Sequence, residues 1–449
     1  MHRSKKGLDL PVAGVPDPSQ AEHKPVRRVA LLGADFVGAK PRPRVQEGDR
    51  VRRGELIFED AKNPGVLFVA PGGGRVAAVH RGAKRALQSV VIELDEDEDD
   101  AKRTFDTFAN GAADRDADSV RALLIESGLW TTLRTRPYSR VPIPGAKPRS
   151  IFVTATDTNP LAVDPAVALE GREDDLVRGL AVLKKLTDGP VRLCRRAGSA
   201  IEPGDSGATV EEFRGPHPSG TVGYHIHVLD PVYRGKEVWH LTYADVVRIG
   251  RTFATGVLDV DRVVALGGPV VKTPRLLKTR VGASIDELVE GELEGDDLRV
   301  ISGSVLSGRR ARGEVHGYLG AYHLQISALA EGRERELLGW LRPGLNKFSA
   351  LPVFVSKLMG SKPFAFTTTT NGSRRAMVPI GAYERVVPMD LMPTHLLRAL
   401  CIKDLEWAEE LGVLELDEED LSLCTFVDPG KTDFAVYLRD VLDQIHAEG

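Results

Sequence analysis

The sequence predicts a multidomain protein of mixed α/β and α+β class. Its 449 residues exceed what one hydrophobic core usually organises, so about three domains are expected from length alone. Short apolar stretches between glycine turns fill the first hundred residues, residues 150–194 follow a strand–helix–strand order, and the C-terminal part has helical periodicity. Three such different patterns indicate separate folding units along one chain.

The first unit, residues 1–100, reads as paired strands. Val29–Leu32 is an apolar run of strand length, and residues 45–58 and 68–79 alternate apolar and polar side chains around glycine turns. The two halves resemble the barrel-sandwich hybrid of biotinyl and lipoyl carrier domains. Lys62 lacks the hydrophobic neighbours of a carrier lysine, so we expect an ordinary turn lysine rather than an attachment site.

The acidic run Asp95–Asp100 predicts a linker, because like charges repel one another and resist packing. The second unit, residues 101–256, then begins. Asp118–Trp130 and Asp175–Lys185 have helical periodicity, and Ser150–Thr156 and Gly189–Cys194 read as buried strands. This order predicts a right-handed crossover and a Rossmann-like parallel α/β sheet.

The third unit, residues 257–330, returns to short strands. We predict strands at Arg262–Leu266, Arg280–Val281 and Arg299–Ile301, with a helix at Ser284–Leu288. A helix across a small mixed sheet is typical of a β-grasp domain, and the stretch resembles the soluble-ligand-binding β-grasp (SLBB-like) type.

The fourth unit, residues 331–449, is predicted to be helix-rich. Thr394–Leu411 and Thr432–His446 both repeat apolar residues at helical spacing. Both stretches are therefore predicted to be helical.

Composition excludes several functions. A net charge of −4 from 60 basic and 64 acidic residues is too balanced for nucleic-acid binding. Cys194, Cys401 and Cys424 are spaced too widely for a disulfide framework or a C-x-x-C metal motif. No stretch approaches ~18 consecutive apolar residues and no signal-type N-terminus is present, so we expect neither export nor a transmembrane helix.

His225 and His227 form the densest histidine segment. Read as a strand, it would project both rings to one face about 7 Å apart, a spacing that suits a metal. No third ligand is readable at a useful spacing, so we favour a packed or hydrogen-bonded pair and expect no metal site. No nucleophile elbow or glycine-rich dinucleotide loop follows the predicted strands, and no catalytic residue is predicted in this chain.

Longer phrases resemble one family over essentially the whole chain. They are Lys6–Gly14, Phe58–Val66, Arg81–Val91, Gly128–Pro137, Gly215–Pro218, Val300–Leu306 and Leu414–Asp420. The family is that of the NqrA subunits of the bacterial sodium-translocating NADH:quinone oxidoreductases.

The resemblance implies a peripheral protein without a transmembrane helix on the cytoplasmic side of the bacterial inner membrane. It would join five other subunits, NqrB to NqrF, and chiefly the membrane protein NqrB. The assembly reduces ubiquinone to ubiquinol and couples this to Na⁺ export, with FMN, FAD, riboflavin and iron–sulfur centres in the partner subunits.

The second unit is also similar to the flavin-bearing subunit of complex I. Flavin-binding relatives have a G-x-G-G-A-G-F-P loop, whose bare amides approach the flavin phosphate. Residues 133–142 fill that place with side chains, and Pro137 removes a donor. We therefore expect no cofactor on this chain. The alternative is a stand-alone NADH-oxidising flavoprotein.

A quinone-proximal role is attributed to the family, with ubiquinone as a possible substrate. The residues that could supply aromatic surface and donors are Phe36, Trp130, Arg134, Arg136 and Tyr138. The competing interpretation is that they pack the vacated flavin site. Cluster-binding relatives need four thiolates, and here Asp428 stands where many family members have a second cysteine near Cys424.

Overall fold

The computed structural model describes residues 1–96, 102–108, 116–333, 343–351, 353–358 and 362–448. Its strands are β1 (His2–Arg3), β2 (Asp17–His23), β3 (Arg28–Leu32), β4 (Pro41–Pro43), β5 (Arg50–Val51), β6 (Leu56–Asp60), β7 (Leu67–Val69), β8 (Gly74–Arg81), β9 (Leu87–Leu94), β10 (Arg134–Arg136), β11 (Ile151–Ala155), β12 (Val191–Arg196), β13 (Thr209–Arg214), β14 (Val238–Thr242), β15 (Asp261–Gly267), β16 (Arg275–Arg280), β17 (Leu298–Ser302), β18 (Arg309–Arg310) and β19 (Gln325–Ala330). Its α-helices are α1 (Ala117–Glu126), α2 (Pro165–Ala168), α3 (Glu173–Lys184), α4 (Val222–Leu229), α5 (Tyr243–Thr255), α6 (Ile285–Leu288), α7 (Gly313–His316), α8 (Ala382–Val386), α9 (Pro393–Ile402), α10 (Leu405–Glu410), α11 (Ser422–Val427) and α12 (Phe434–Glu448).

Two small sheets form the N-terminal part. One has the order β3-β9-β8-β5 and the other β4-β6-β7, with antiparallel neighbours in both. Their buried side chains, such as Val29, Phe58 and Val90, belong to one hydrophobic core, as the glycine-separated strands predicted. Lys62 is exposed in the turn between β6 and β7. Most of the acidic run predicted as a linker, residues 97–100, lies outside the described residues.

The central sheet has the order β1-β13-β12-β11-β14-β10. All neighbours are parallel except β10, which runs antiparallel to β14, so the predicted parallel sheet is confirmed. Side chains alternate across it: Ile151 and Val153 belong to the core that contains α3 and α5, and Phe152 belongs to the core of the C-terminal helices.

Helices α3 and α5 approach each other unusually closely. A Cβ added to Gly250 would lie 1.8 Å from the carbonyl oxygen of Asp175, and one added to Gly179 would lie 2.1 Å from that of Val246. Only glycine permits this backbone contact, which sets how the two helices lie on the sheet.

The third sheet has the order β18-β17-β19-β15-β16-β2 and packs against α6. The predicted helix and the strands around residues 262–266 and 299–301 are confirmed. The strand predicted at Arg280–Val281 is wrong in position, because β16 ends at Arg280; the ladder with β15 begins at Arg275.

The C-terminal helices pack on the outer face of the central sheet. Helix α12 lies where helical periodicity predicted it. The helical stretch predicted at Thr394–Leu411 is confirmed, but it is divided into α9 and α10. The chain leaves the helix at Lys403, which has a left-handed φ of 56°, and starts α10 with Asp404, whose carboxylate accepts from the backbone N–H of Trp407.

Candidate functional site

The segment that follows β10 is a tight turn. The Arg136–Pro137 peptide is cis, and Tyr138 and Ser139 have φ values of 78° and 53°. The backbone N–H of Thr135 donates to the carbonyl of Arg140 at 2.8 Å, and that of Ser139 donates to the carbonyl of Thr135 at 2.9 Å. These amides are therefore engaged within the turn.

Arg136 lies fully buried against the acidic segment 417–420 of the C-terminal part. One guanidinium nitrogen, Nη1, lies 3.0 Å from both the Asp420 carboxylate and the Glu415 carbonyl. Nη2 lies 3.4 Å from the carboxylate of Asp417. The contact joins the central domain to the helical domain.

We call Asp417, Glu418, Glu419 and Asp420 the acidic cluster. Arg439 of α12 is a second cation that contacts it. It donates to Glu418 at 2.6 Å and to Asp417 at 2.9 Å. Four carboxylates thus face Arg136 and Arg439, and the charge of Arg134 also reaches Asp417 and Glu419, so the carboxylates outnumber the cations. Burial and the charge on Asp420 raise the pKa of Glu419 to about 7.

Tyr138 and Trp130 are both held by the protein itself. The Tyr138 ring packs edge-on against His446 of α12, with centroids 4.9 Å apart. Trp130 has no exposed surface; its indole N–H donates to the carbonyl of Pro142 at 2.8 Å, and its ring packs against Trp239.

A cavity of about 60 Å³ lies where the first three domains meet. Phe36, Phe68, Thr131 and Tyr322 line it, together with Asp35 and Arg248. An apolar cavity of about 150 Å³ is the size that admits benzene, so this one is too small for a quinone ring without movement of its walls.

The polar groups of the cavity already have partners. The Tyr322 hydroxyl donates to the carbonyl of Thr131 at 2.8 Å. The carboxylate of Asp35 accepts from the N–H of Ala321 and pairs with Arg309. The Arg248 guanidinium contacts Asp245 at 3.1 Å.

The structure separates the five residues proposed to be quinone-proximal. Phe36 lines the cavity. The guanidinium of Arg134 lies 4.3 Å from the centroid of the Tyr322 ring, which also lines the cavity. Arg136 and Tyr138 lie at the boundary with the helical domain, and Trp130 is in the core. Sequence reasoning missed Tyr322, because no local pattern marks it and it meets Phe36 only in the fold.

The histidine pair is helical, so the predicted strand is wrong. His225 and His227 lie two residues apart on α4 and point to different sides. His225 bonds the carbonyl of Ser219 at 3.1 Å, and His227 bonds the carboxylate of Glu415 at 2.9 Å. Both rings thus have protein partners. Among the described residues, no group of three or more His, Cys, Asp or Glu side chains could hold a metal ion.

Asp428, which precedes Pro429, is fully buried. Its carboxylate accepts from the Tyr383 hydroxyl and the N–H of Gly430 and Thr432, at 2.8–2.9 Å. Burial opposes ionisation, but these donors hold the pKa of Asp428 below its ordinary value. The carboxylate therefore organises the turn before α12.

Three family models match the chain in order. They are the NqrA N-terminal barrel-sandwich hybrid domain at residues 3–95, the NqrA second alpha/beta domain at 115–258, and the NQRA C-terminal domain, of SLBB type, at 263–313. The order of domains defines a multidomain barrel-sandwich, α/β and β-grasp protein. The expected barrel-sandwich, α/β and SLBB-type domains are all present.

The chain belongs to the NqrA family of the Na⁺-translocating NADH-quinone reductases. The NqrA proteins from Alcanivorax borkumensis and from Pseudomonas aeruginosa are each 53% identical to it, and the one from Yersinia pestis is 51% identical. In all three, the similarity covers 100% of both chains.

Among solved structures, an NAD⁺-reducing [NiFe]-hydrogenase in the H₂-reduced state shows a TM-score of 0.36 at 14% identity. The matched region covers 51% of this chain and 49% of the hydrogenase chain. A likeness this weak supports no inference. Within the described parts of the chain, no helix is long and apolar enough to cross a membrane.

Proposed function

We propose that this chain is the peripheral NqrA component of a Na⁺-translocating NADH-quinone reductase, bound to the cytoplasmic face of the bacterial inner membrane. It supports reduction of ubiquinone to ubiquinol, coupled to Na⁺ export, without a flavin or iron–sulfur centre of its own. FMN, FAD, riboflavin and iron–sulfur centres reside in NqrB to NqrF, and the membrane protein NqrB is the chief partner. Full-length identity to NqrA relatives supports the assignment.

The observation that carries the cofactor-free part is the turn at Arg136. In a Rossmann-like site of the complex I type, a flavin phosphate needs unengaged backbone N–H groups. Here Pro137 has none, and the amides of Thr135 and Ser139 are used internally. The carboxylates of Asp417 and Asp420 behind the turn would repel a phosphate. These residues do not fit a flavin.

Titration of the isolated full-length chain with FMN and NADH tests this proposal. We expect a colourless protein and no heat of binding for either compound. Stoichiometric uptake of FMN would overturn the cofactor-free role and favour the stand-alone NADH-oxidising flavoprotein. The relatives, which are named as subunits, do not favour that alternative.

Co-purification tests the proposed place in the complex. A tagged chain expressed beside NqrB to NqrF should bring down NqrB from detergent-solubilised membranes. Recovery of the tagged chain alone would contradict the role.

The cavity bordered by Phe36 and Tyr322 is the place that best suits contact with a quinone. Aromatic rings from two domains face it, and Arg134 lies against one of them. Its small volume requires that ligand binding separates the domains slightly.

A short-chain ubiquinone analogue tests that contact by its effect on tryptophan fluorescence. Phe36→Leu should weaken binding, whereas Phe253→Leu, a fully buried phenylalanine on α5, should not. Equal loss in both variants would indicate general destabilisation, and the cavity would then not be the quinone site.

A further inference from the structure

An exposed apolar surface lies on two short loops of the C-terminal part. Leu345, Val353 and Val355 leave 52%, 69% and 42% of their surface exposed. The N–H of Val355 donates to the carbonyl of Pro343 at 3.0 Å, and the Ser356 hydroxyl donates to the carbonyl of Lys347 at 2.6 Å. The loops are thus fixed against each other with their aliphatic side chains outward.

Large exposed hydrophobic residues concentrate in this part of the described structure. Five of the twelve such residues fall between positions 345 and 380; they are Leu345, Val353, Val355, Val378 and Ile380. A contiguous exposed apolar area usually marks an interaction site. Its occupant must be inferred from the charges around it.

The same part of the sequence has no acidic residue. Residues 337–383 contain six Lys or Arg and no Asp or Glu, although 64 of the 449 residues of the chain are acidic. Lys347 and Lys362 lie at the loops: the ammonium of Lys347 is 5.9 Å from the centroid of the Phe354 ring, and that of Lys362 is 2.9 Å from the Asn346 side-chain oxygen. The surface therefore suits an anionic partner.

The loops have a firm base. Phe348 packs against Phe364 and Phe366, with centroids 5.9 and 5.5 Å apart, and also against Phe426 of α11. The backbone N–H of Phe364 donates to the carbonyl of Pro11 at 2.8 Å. These contacts attach the loops to the rest of the folded chain.

We propose that an anionic lipid bilayer binds the surface formed by Leu345, Lys347, Val353, Val355 and Lys362. We call these five residues the bilayer surface. The aliphatic side chains enter the headgroup region while the ammonium groups pair with lipid phosphates. Exposed aliphatic side chains with lysines nearby, in a sequence range (337–383) that has no Asp or Glu, match this chemistry better than a protein interface, whose centre is enriched in aromatic side chains. The inference rests on the proposed function only in placing the chain beside a membrane.

Flotation of the purified full-length chain with vesicles tests the proposal. We expect binding to vesicles of phosphatidylcholine with phosphatidylglycerol, little binding to phosphatidylcholine alone, and loss of binding at high salt. The Lys347→Gln, Lys362→Gln double variant should bind roughly 30-fold more weakly, because each cation near an anionic surface contributes about a factor of five or more. Leu345→Ser, Val353→Ser, Val355→Ser should lose at least about tenfold.

Matched controls alter the same chemistry elsewhere. Ile402→Ser with Val436→Ser removes two exposed aliphatic side chains, and Lys272→Gln with Lys278→Gln removes two exposed cations. Neither control should change vesicle binding, and circular dichroism should show all variants folded. Equal binding by all variants, or no binding by the wild type, would overturn the proposal.

The result is separable from the proposed function. If the serine variant fails to co-purify with NqrB and the wild type ignores vesicles, the surface contacts protein; the lipid proposal then fails and the role within the complex stands. If vesicle binding is strong but no partner co-purifies, the bilayer surface stands and the role within the complex fails.

Discussion

The guanidinium of Arg136 lies 3.0 Å from the carboxylate of Asp420, although the two residues are 284 positions apart. Both side chains are almost fully buried, so each has exchanged hydration for the other. The pair joins the end of β10 in the central domain to the acidic cluster that precedes α11. The energetic consequences of that contact can be measured.

Replacing Arg136 with Ala should destabilise the chain by about 3–5 kcal/mol, because it leaves Asp420 buried without its cation. Chemical denaturation followed by tryptophan fluorescence measures this change. Arg140→Ala is the control: its partner Asp443 is half exposed, so the loss should stay below about 1 kcal/mol. Equal losses would show that the buried pair has no special weight.

Glu419 should make stability depend on pH. The folded state raises its pKa from an ordinary value of 4.5 to about 7. Proton binding therefore favours the folded state fully below about pH 4.5, and this contribution is lost as the pH rises through 7. Wild-type stability should fall between pH 5 and pH 8, and Glu419→Gln should remove part of that fall, because burial and the charge on Asp417 also raise the pKa of Glu418 to about 7.

Melting temperatures at several pH values within that window measure the difference between wild type and Glu419→Gln. Glu410→Gln, at an exposed position on α10, is the control and should leave the pH dependence unchanged. A Glu419→Gln profile parallel to the wild type would contradict the assignment of the titration to this carboxyl.

Much of the central fold could be predicted because its signals are local. The strand–helix–strand order around β11 and β12 depends on neighbouring apolar residues, and the structure has it. Strands β1 and β2 left no such signal: the first has two residues, and the second, DPSQAEH, is polar and mostly exposed. Each is a strand only because it pairs with β13 or β16.

The candidate site was predictable only in part. An aromatic residue at position 36 could be proposed from sequence, but Tyr322 reaches the same cavity from another domain. For the histidine pair, the difficulty was that the local pattern does not decide the secondary structure. His-x-His fits a strand and a helix equally well by local pattern, and packing of Gly223 against Asp420 accompanies the helical form.

Gly250→Ala should destabilise the protein by about 2–3 kcal/mol. At an exposed helix position the same change would be stabilising, because alanine has the higher helix propensity. The added methyl group would collide with the carbonyl oxygen of Asp175, 1.8 Å away, and force α3 and α5 apart. Thermal denaturation measures the loss. Gly372→Ala, whose new Cβ would meet its nearest neighbour at an ordinary 3.5 Å, should change little; a similar loss there would refute the close-contact explanation.

Asp428→Cys should destabilise this chain by about 2–4 kcal/mol. A thiol is a weak acceptor and leaves the Tyr383 hydroxyl and the N–H groups of Gly430 and Thr432 without their carboxylate. Tyr383→Phe removes only one of these bonds and should cost about 1 kcal/mol. Urea denaturation separates the two values, with Asp440→Cys on the exposed face of α12 as the control. If Asp428→Cys were as stable as the wild type, the carboxylate would not be what organises the turn before α12.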